Sequence, residues 1–197
     1  MIIPSFKPAV SYKELNAMLS ELLFGIASDK DIYLFEQGFA RYLGVKYAIR
    51  MPSARRGLYH ILKSLNLKEG DEVIIPAFTY FAVPAAVIKA GLKPVFVDIS
   101  AVNLNIDPEK IEENITTKTR AIIPTHLCGF ACGMAEILDI AGRHNIFVIE
   151  DCAQSLGAEY KNNKLGSLGS AARIAISPSV NLPTGFPKYS SAAAPTP

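Results

Sequence analysis

From residue 46 onward the chain alternates between two patterns: short runs of consecutive apolar residues, and longer stretches in which apolar positions recur every three or four residues. The first pattern predicts buried strands and the second amphipathic helices. "KYAIRM" predicts a short strand, and "RGLYHILKSLNL" a helix with Leu58, Ile61, Leu62 and Leu65 on one face. "DEVIIPA" predicts a second strand, and "YFAVPAAVIKAG" a helix that closes on Gly91, the residue type favoured just past a helix end. "KPVFVDI" then predicts a strand, and "DPEKIEENI" a short helix with Pro108 in its first turn and acids that complement its dipole. "TRAIIPTH" and "NIFVIED" predict strands on either side of the helix "GMAEILDIAGRH". Such alternation is the sequence form of an α/β fold, a mainly parallel sheet covered by helices, and strands this uniformly apolar are expected to be buried on both faces.

The first 45 residues differ. "SYKELNAMLSELLFGI" and "IYLFEQGFARYLG" predict two amphipathic helices, with Leu15, Met18, Leu19 and Leu22 on one and Leu34, Phe35, Phe39 and Leu43 on the other. Beyond Val180, "NLPTGFPKYSSAAAPTP" loses all periodicity and fills with proline, serine and alanine, so a poorly ordered tail is expected over 183–197. The expected organisation is a helical segment over 1–45, an α/β domain over 46–182, and that tail.

Composition adds exclusions. With 197 residues, 50% of them apolar, the chain is long enough for a real core. A net charge of +2, its signs interspersed, supplies no field for nucleic acid or an anionic membrane, so small molecules or another protein chain are the expected partners. "MIIPSFKPAV" has no basic region and no long apolar stretch, and no run approaches the roughly 20 apolar residues of a membrane helix, so a cytoplasmic protein is expected. Three cysteines, Cys128, Cys132 and Cys152, an odd number in a fairly long chain, argue against a secreted disulfide framework, and free thiols are expected. "HLCGFAC" puts His126 beside two of them, but the spacing is not a CxxC pair and no second ligand cluster follows; the expectation is ordinary loop and core residues without a metal.

In open parallel sheets, ligands sit outside the carboxyl ends of the strands. "FVIEDCAQ" ends a strand on Glu150 and Asp151, and an ionised carboxylate there needs a cation or several donors. Asp151 is therefore a ligand-pairing acid, a helix cap, or half of a salt bridge to a nearby Lys or Arg. Ser53, in "PSARRGL", caps the next helix, whose first amides with Arg55 and Arg56 face an anion or simply solvent. Thr79 and Tyr80 lie at another strand end, where the ring covers a flat ligand or packs in the core. His126, after "RAIIPT", is a site residue or a satisfied histidine of the loop. No G-x-G-x-x-G follows the first strand, which argues against a dinucleotide-binding domain.

Taken together, "FEQGFARYLGVKYAIRMPSARRGLYHIL", "LKEGDEVIIPAFTYFAVPAAVIKAGLKPVFVDI", "TRAIIPTHLCG" and "VIEDCAQSLGAEYKNNKLGSLG" resemble successive blocks of the DegT/DnrJ/StrS-type sugar aminotransferases. These are pyridoxal phosphate enzymes of the aspartate-aminotransferase fold, and the order of blocks holds from about residue 5 to residue 182. The resemblance implies a three-layer α/β/α sandwich, the large-domain portion of a type I pyridoxal phosphate-dependent transferase. It also implies a longer protein, with a smaller C-terminal domain that this sequence lacks. By the resemblance, Asp151 pairs with the pyridine nitrogen of pyridoxal 5'-phosphate, favouring the protonated ring that serves as electron sink. Glu150, on the other strand face, is structural. Gln154 contacts the ring oxygen, Tyr80 stacks on the ring, and Ser53 with the amides of Ala54, Arg55 and Arg56 holds the phosphate.

The chain departs from the family pattern in "AARIAISPSVNL", where the Schiff-base lysine position falls on Val180 and a phosphate-bonding serine position on Ala175. Valine has no nucleophile, so no catalytic residue is assigned and an inactive or nearly inactive family member is expected. The partners implied are a nucleotide-linked sugar and an amino donor, with association as a homodimer or with a paralogue. The alternative is a non-catalytic binding or dimerisation module that keeps the fold.

Overall fold

The structure, a computed structural model, describes residues 29–175. The described residues fall into two compact units, 29–50 and 51–175. The predicted helix "SYKELNAMLSELLFGI", the tail over 183–197 and Val180 lie outside the described residues.

In the first unit, helix α1 (Asp29–Leu43) carries Asp29 and Asp31 in its first turn and Arg41 in its last, each complementing the helix dipole. Phe35 and Phe39, one turn apart, stack at 6.0 Å, and Phe39, Ala40 and Leu43 are buried. Leu34 does not join them and is 53% exposed. It sits one residue, about 100° of helix rotation, from the Phe35, Phe39, Leu43 row. Gly44, with φ +75°, takes the left-handed conformation that ends the helix. The strand predicted at 46–51 is absent: among the described residues these find no ladder partner, and Tyr47 and Ile49 stand exposed. A strand is a paired object, and an apolar run without a neighbouring edge gains nothing from extending.

The second unit holds a five-stranded sheet: β1 (Glu72–Pro76), β2 (Lys93–Val97), β3 (Thr119–Ile122), β4 (Phe147–Asp151) and β7 (Ala171–Arg173), in the order β2-β1-β3-β4-β7. Every pairing is parallel. A two-stranded antiparallel ribbon, β5 (Glu159–Tyr160) with β6 (Asn163–Lys164), precedes β7. The helices between are α2 (Ala54–Ser64), α3 (Ala82–Lys89), α4 (Pro108–Glu113) and α5 (Met134–His144).

Strand residues one apart point to opposite faces, and the core divides by that rule. Ile74, Ile122 and Val148 join Ile111 of α4 and Met134, Ile137 and Ile140 of α5 on one side. Val73, Ile75, Ala121 and Ile149 join Leu58 and Leu62 of α2 and Val83, Ala86 and Val87 of α3 on the other. This is the expected three-layer α/β/α sandwich. Burial on both faces holds for β1, whose five residues are all buried, but not for β2, where Phe96 is 53% exposed. Among the described residues β2 has one strand neighbour only, β1, and an edge strand meets fewer covering side chains.

Gly169, just before β7, has the tightest surroundings of the glycines. A Cβ there would lie 2.6 Å from the carbonyl oxygen of Val148. Gly169→Ala is therefore expected to cost about 1–3 kcal/mol, since backbone rather than a flexible side chain must move. Urea melts check this, and an unchanged midpoint would show that the 166–170 turn yields freely.

Candidate active site

The site forms where β4 ends. The Asp151 amide donates to Pro124 O at 2.9 Å, and Asp151 O accepts from the His126 amide at 3.0 Å, so the residues after β3 run alongside the end of β4. On the other side, β4 and β7 pair with Asp151 directly opposite Arg173. Neighbouring residues across a parallel ladder project to the same face. The Arg173 Nε–H donates to Asp151 Oδ1 at 2.7 Å, and Nη2 donates to Oδ2 at 2.6 Å. The two side chains are 4% and 1% exposed. Asp151 Oδ1 also accepts from the Ala153 amide at 3.2 Å and Oδ2 from Thr125 Oγ1 at 3.3 Å. Four donors thus meet a carboxylate that has about four acceptor positions. Of the readings open for Asp151, the structure realises the salt bridge.

Glu150 projects to the opposite face and is fully buried. Its Oε1 accepts from the amides of Leu168 at 2.7 Å and Gly169 at 2.8 Å, and its Oε2 from the amide of Gly166 at 2.9 Å and from His126 Nε2 at 3.3 Å. Burial works against the ionised form, but the bonds from His126 and these three amides prevail and hold its pKa below the ordinary value. Glu150 is a clamp between β4 and the turn that launches β7, in agreement with its structural assignment.

His126 is the satisfied histidine of the loop. It is fully buried, its Nδ1 accepts from the Cys132 amide at 3.0 Å, and Nε2 is left to donate to Glu150. His126, Glu150 and Cys152 offer ligand atoms within 4.8 Å of one another. Both imidazole nitrogens and both carboxylate oxygens are already used, and the Cys152 thiol is driven up in pKa by burial and by the adjoining carboxylates. Cys132, likewise buried, is pushed up to about 12 and donates to Thr125 O. His126 and Glu150 thus serve the hydrogen-bond network that ties the loop after β3 and the turn before β7 to the end of β4.

Over Asp151 lies a cavity of about 300 Å³. It gathers Ser53, Ala54, Arg55, Tyr80, Asp151 and Gln154, together with Thr125, Arg173 and Ala175. Arg56 is the one proposed cofactor residue not on its wall; its amide instead donates to Ser53 Oγ at 3.3 Å, which makes Ser53 the N-cap of α2. Tyr80 is 53% exposed, its ring 4.5 Å from that of Phe81, over which the Arg55 guanidinium stands at 5.4 Å. Gln154 Oε1 accepts from the Cys128 amide at 3.4 Å. Thr125 and Arg173 escaped sequence reasoning, although one signal was present: Arg173 is the only charge in "AARIAI", and an arginine in an apolar strand demands a buried anion.

Residues 12–185 match the profile of the DegT/DnrJ/EryC1/StrS aminotransferase family. The chain is 45% identical over 138 residues to a GDP-perosamine synthase of Caulobacter vibrioides, covering 70% of this chain and 37% of that protein. Among solved structures it resembles an aminotransferase from Psychrobacter cryohalolentis, with a TM-score of 0.80 and 37% identity over 85% of this chain and 44% of that one. It also resembles the E. coli GDP-4-keto-6-deoxy-D-mannose-3-dehydratase with bound hydrated pyridoxal phosphate, with a TM-score of 0.72 and 30% identity over 85% and 44% of the respective chains. The chain spans about half the length of the curated relatives it matches.

Proposed function

The chain belongs to the DegT/DnrJ/EryC1/StrS aminotransferase family, and from that premise we propose that it is a non-transaminating member, keeping the scaffold and pocket of a nucleotide-sugar aminotransferase without its covalent cofactor chemistry. The observation that carries this reading is the saturated Asp151 carboxylate. A protonated pyridine nitrogen needs an acceptor, and the acceptor positions of Asp151 are filled by Arg173, Thr125 and Ala153. The residues present therefore do not fit pyridoxal phosphate in the way the family resemblance implies.

Two sequence features support the same reading. Val180 stands where the resemblance places the lysine, so that position offers no amine to form an imine or to move a proton. Ala175 stands at the phosphate-serine position, and it lines the cavity without a hydroxyl to offer. The names of the relatives, GDP-perosamine synthase and a dTDP-linked amino-sugar transaminase, support nucleotide-linked sugars and an amino donor as the ligand class from which any residual binding derives. Phe78, Tyr80 and Phe81 are large, adjoining and exposed, which supports association with a second copy or a paralogue, the role of a pairing module. Among the described residues no helix is long and apolar enough to cross a membrane.

The test is chemical trapping. Incubated with pyridoxal phosphate and reduced with borohydride, the chain is expected to carry no adduct at a single lysine by peptide mass mapping. It is also expected not to transfer an amino group from glutamate to a nucleotide-linked keto sugar. A stoichiometric adduct on one native lysine would overturn the reading.

A further inference from the structure

We infer that Arg173 is a built-in replacement for a cationic ligand: its guanidinium occupies the charge-pairing position on Asp151, closes the cavity to a protonated pyridine ring, and is the single side chain whose removal reopens it. The inference rests on reading the cavity as the family's cofactor pocket, and goes further by assigning its closure to one residue rather than to general loss of the site.

The geometry is that of a fixed fork. Nε and Nη2 each bond a different oxygen of Asp151, the bidentate arrangement that gives an arginine–carboxylate pair both strength and direction. The pair is built in by the ladder. Asp151 and Arg173 are register partners, the Arg173 carbonyl accepts from the Cys152 amide at 3.0 Å, and the Glu150 clamp holds the turn that leads into β7. Swinging the guanidinium away would leave two buried charges short of partners, which is costly. Arg173 and Asp151 both line the cavity beside Tyr80 and Gln154, so a ring lying there would meet the guanidinium at the carboxylate it needs. A pyridinium would bring a second positive charge to a pair already neutral, and like charges at that range disfavour the protonated form. The remaining donors for Asp151, Thr125 Oγ1 and the Ala153 amide, are uncharged and leave acceptor capacity once Arg173 is gone.

Pyridoxine 5'-phosphate is the suitable probe, because it carries the ring nitrogen and the phosphate but no aldehyde to react with scattered lysines. Its binding is followed by equilibrium dialysis and by the ring absorbance that reports protonation. Arg173→Ala is expected to bind it about tenfold or more tightly than the native chain, with the protonated-ring spectrum, and the gain is expected to vanish in Arg173→Ala/Asp151→Asn. Arg173→Ser, which leaves a small donor for Asp151, provides the second variant should the alanine form not fold. In the native chain, the Arg173 Nε–H resonance should stay unmoved at saturating probe. Equal binding by the native chain and the variants, or a shift of that resonance, would overturn the inference. So would folded Arg173 variants that still fail to bind, a result that leaves the non-transaminating reading standing, whereas a single-lysine borohydride adduct on the native chain removes that reading itself.

Discussion

Glu150→Ala is expected to lower folding stability by about 3–5 kcal/mol, a large fraction of the about 5–15 kcal/mol that holds an ordinary domain together. The carboxylate is fully buried and receives bonds from three amides and from His126. Alanine orphans all of these donors at once, and a buried unsatisfied donor costs more than an average hydrogen bond contributes. The clamp also has a pH signature. The folded-state pKa of Glu150 is depressed, so its contribution is fully present above the ordinary carboxylate range and is lost as pH falls through the lower native value. Buried Glu72, lowered by its hydrogen bonds from Thr116 and Lys93, adds a contribution of the same sign. Urea melts are thus expected to be nearly flat above about pH 5 and to move to lower urea below about pH 4, and Glu150→Gln, already destabilised, should lose less over that interval. A Glu150→Ala chain as stable as the native one, or parallel acid curves for native and Glu150→Gln, would refute the clamp.

Asp151→Ala is expected to cost a comparable amount, about 3–5 kcal/mol, because it strands a guanidinium that is 4% exposed. The reverse deletion should be milder. In Arg173→Ala the carboxylate keeps Thr125 Oγ1 and the Ala153 amide and borders the cavity. The double variant Asp151→Ala/Arg173→Met, with neither charge left, should recover much of the loss, giving a coupling energy of about 2 kcal/mol or more in a double-mutant cycle closed with the single variants Asp151→Ala and Arg173→Met. Single costs that simply add would mean that the two side chains do not depend on each other, contrary to the fork geometry.

Most of the scaffold is legible in the amino-acid sequence. The apolar runs of β1, β3 and β4 and the three-to-four spacing of α2 and α5 are local signals, and the elements appear where those signals lie. The failures have local causes as well. Leu34 stands one residue off the buried row of α1, and 46–51, although apolar enough, finds no ladder among the described residues. β2 has the composition of a buried strand but the exposure of an edge. Composition reports what a strand can tolerate, whereas exposure depends on which neighbours it acquires.

The candidate site divides along the same line. Asp151 at a strand end, Ser53 at a helix start and Tyr80 at a rim were each recognisable by residue type and position, and six of the proposed cofactor residues do border one cavity: Ser53, Ala54, Arg55, Tyr80, Asp151 and Gln154. The sequence also offered, as one reading of Asp151, a salt bridge to a nearby Lys or Arg, without identifying which. What the amino-acid sequence by itself determined is therefore the alternation of strands and helices, the strand end that receives the carboxylates, and the absence of a lysine at 180, all of which depend on residue type and short-range period. Only the tertiary structure decided that Arg173, 22 residues from Asp151, is its partner. That choice follows from the register of β4 against β7, and register is set by long-range pairing and by the Glu150 clamp. A slip of one residue would have turned the same arginine to the other face of the sheet.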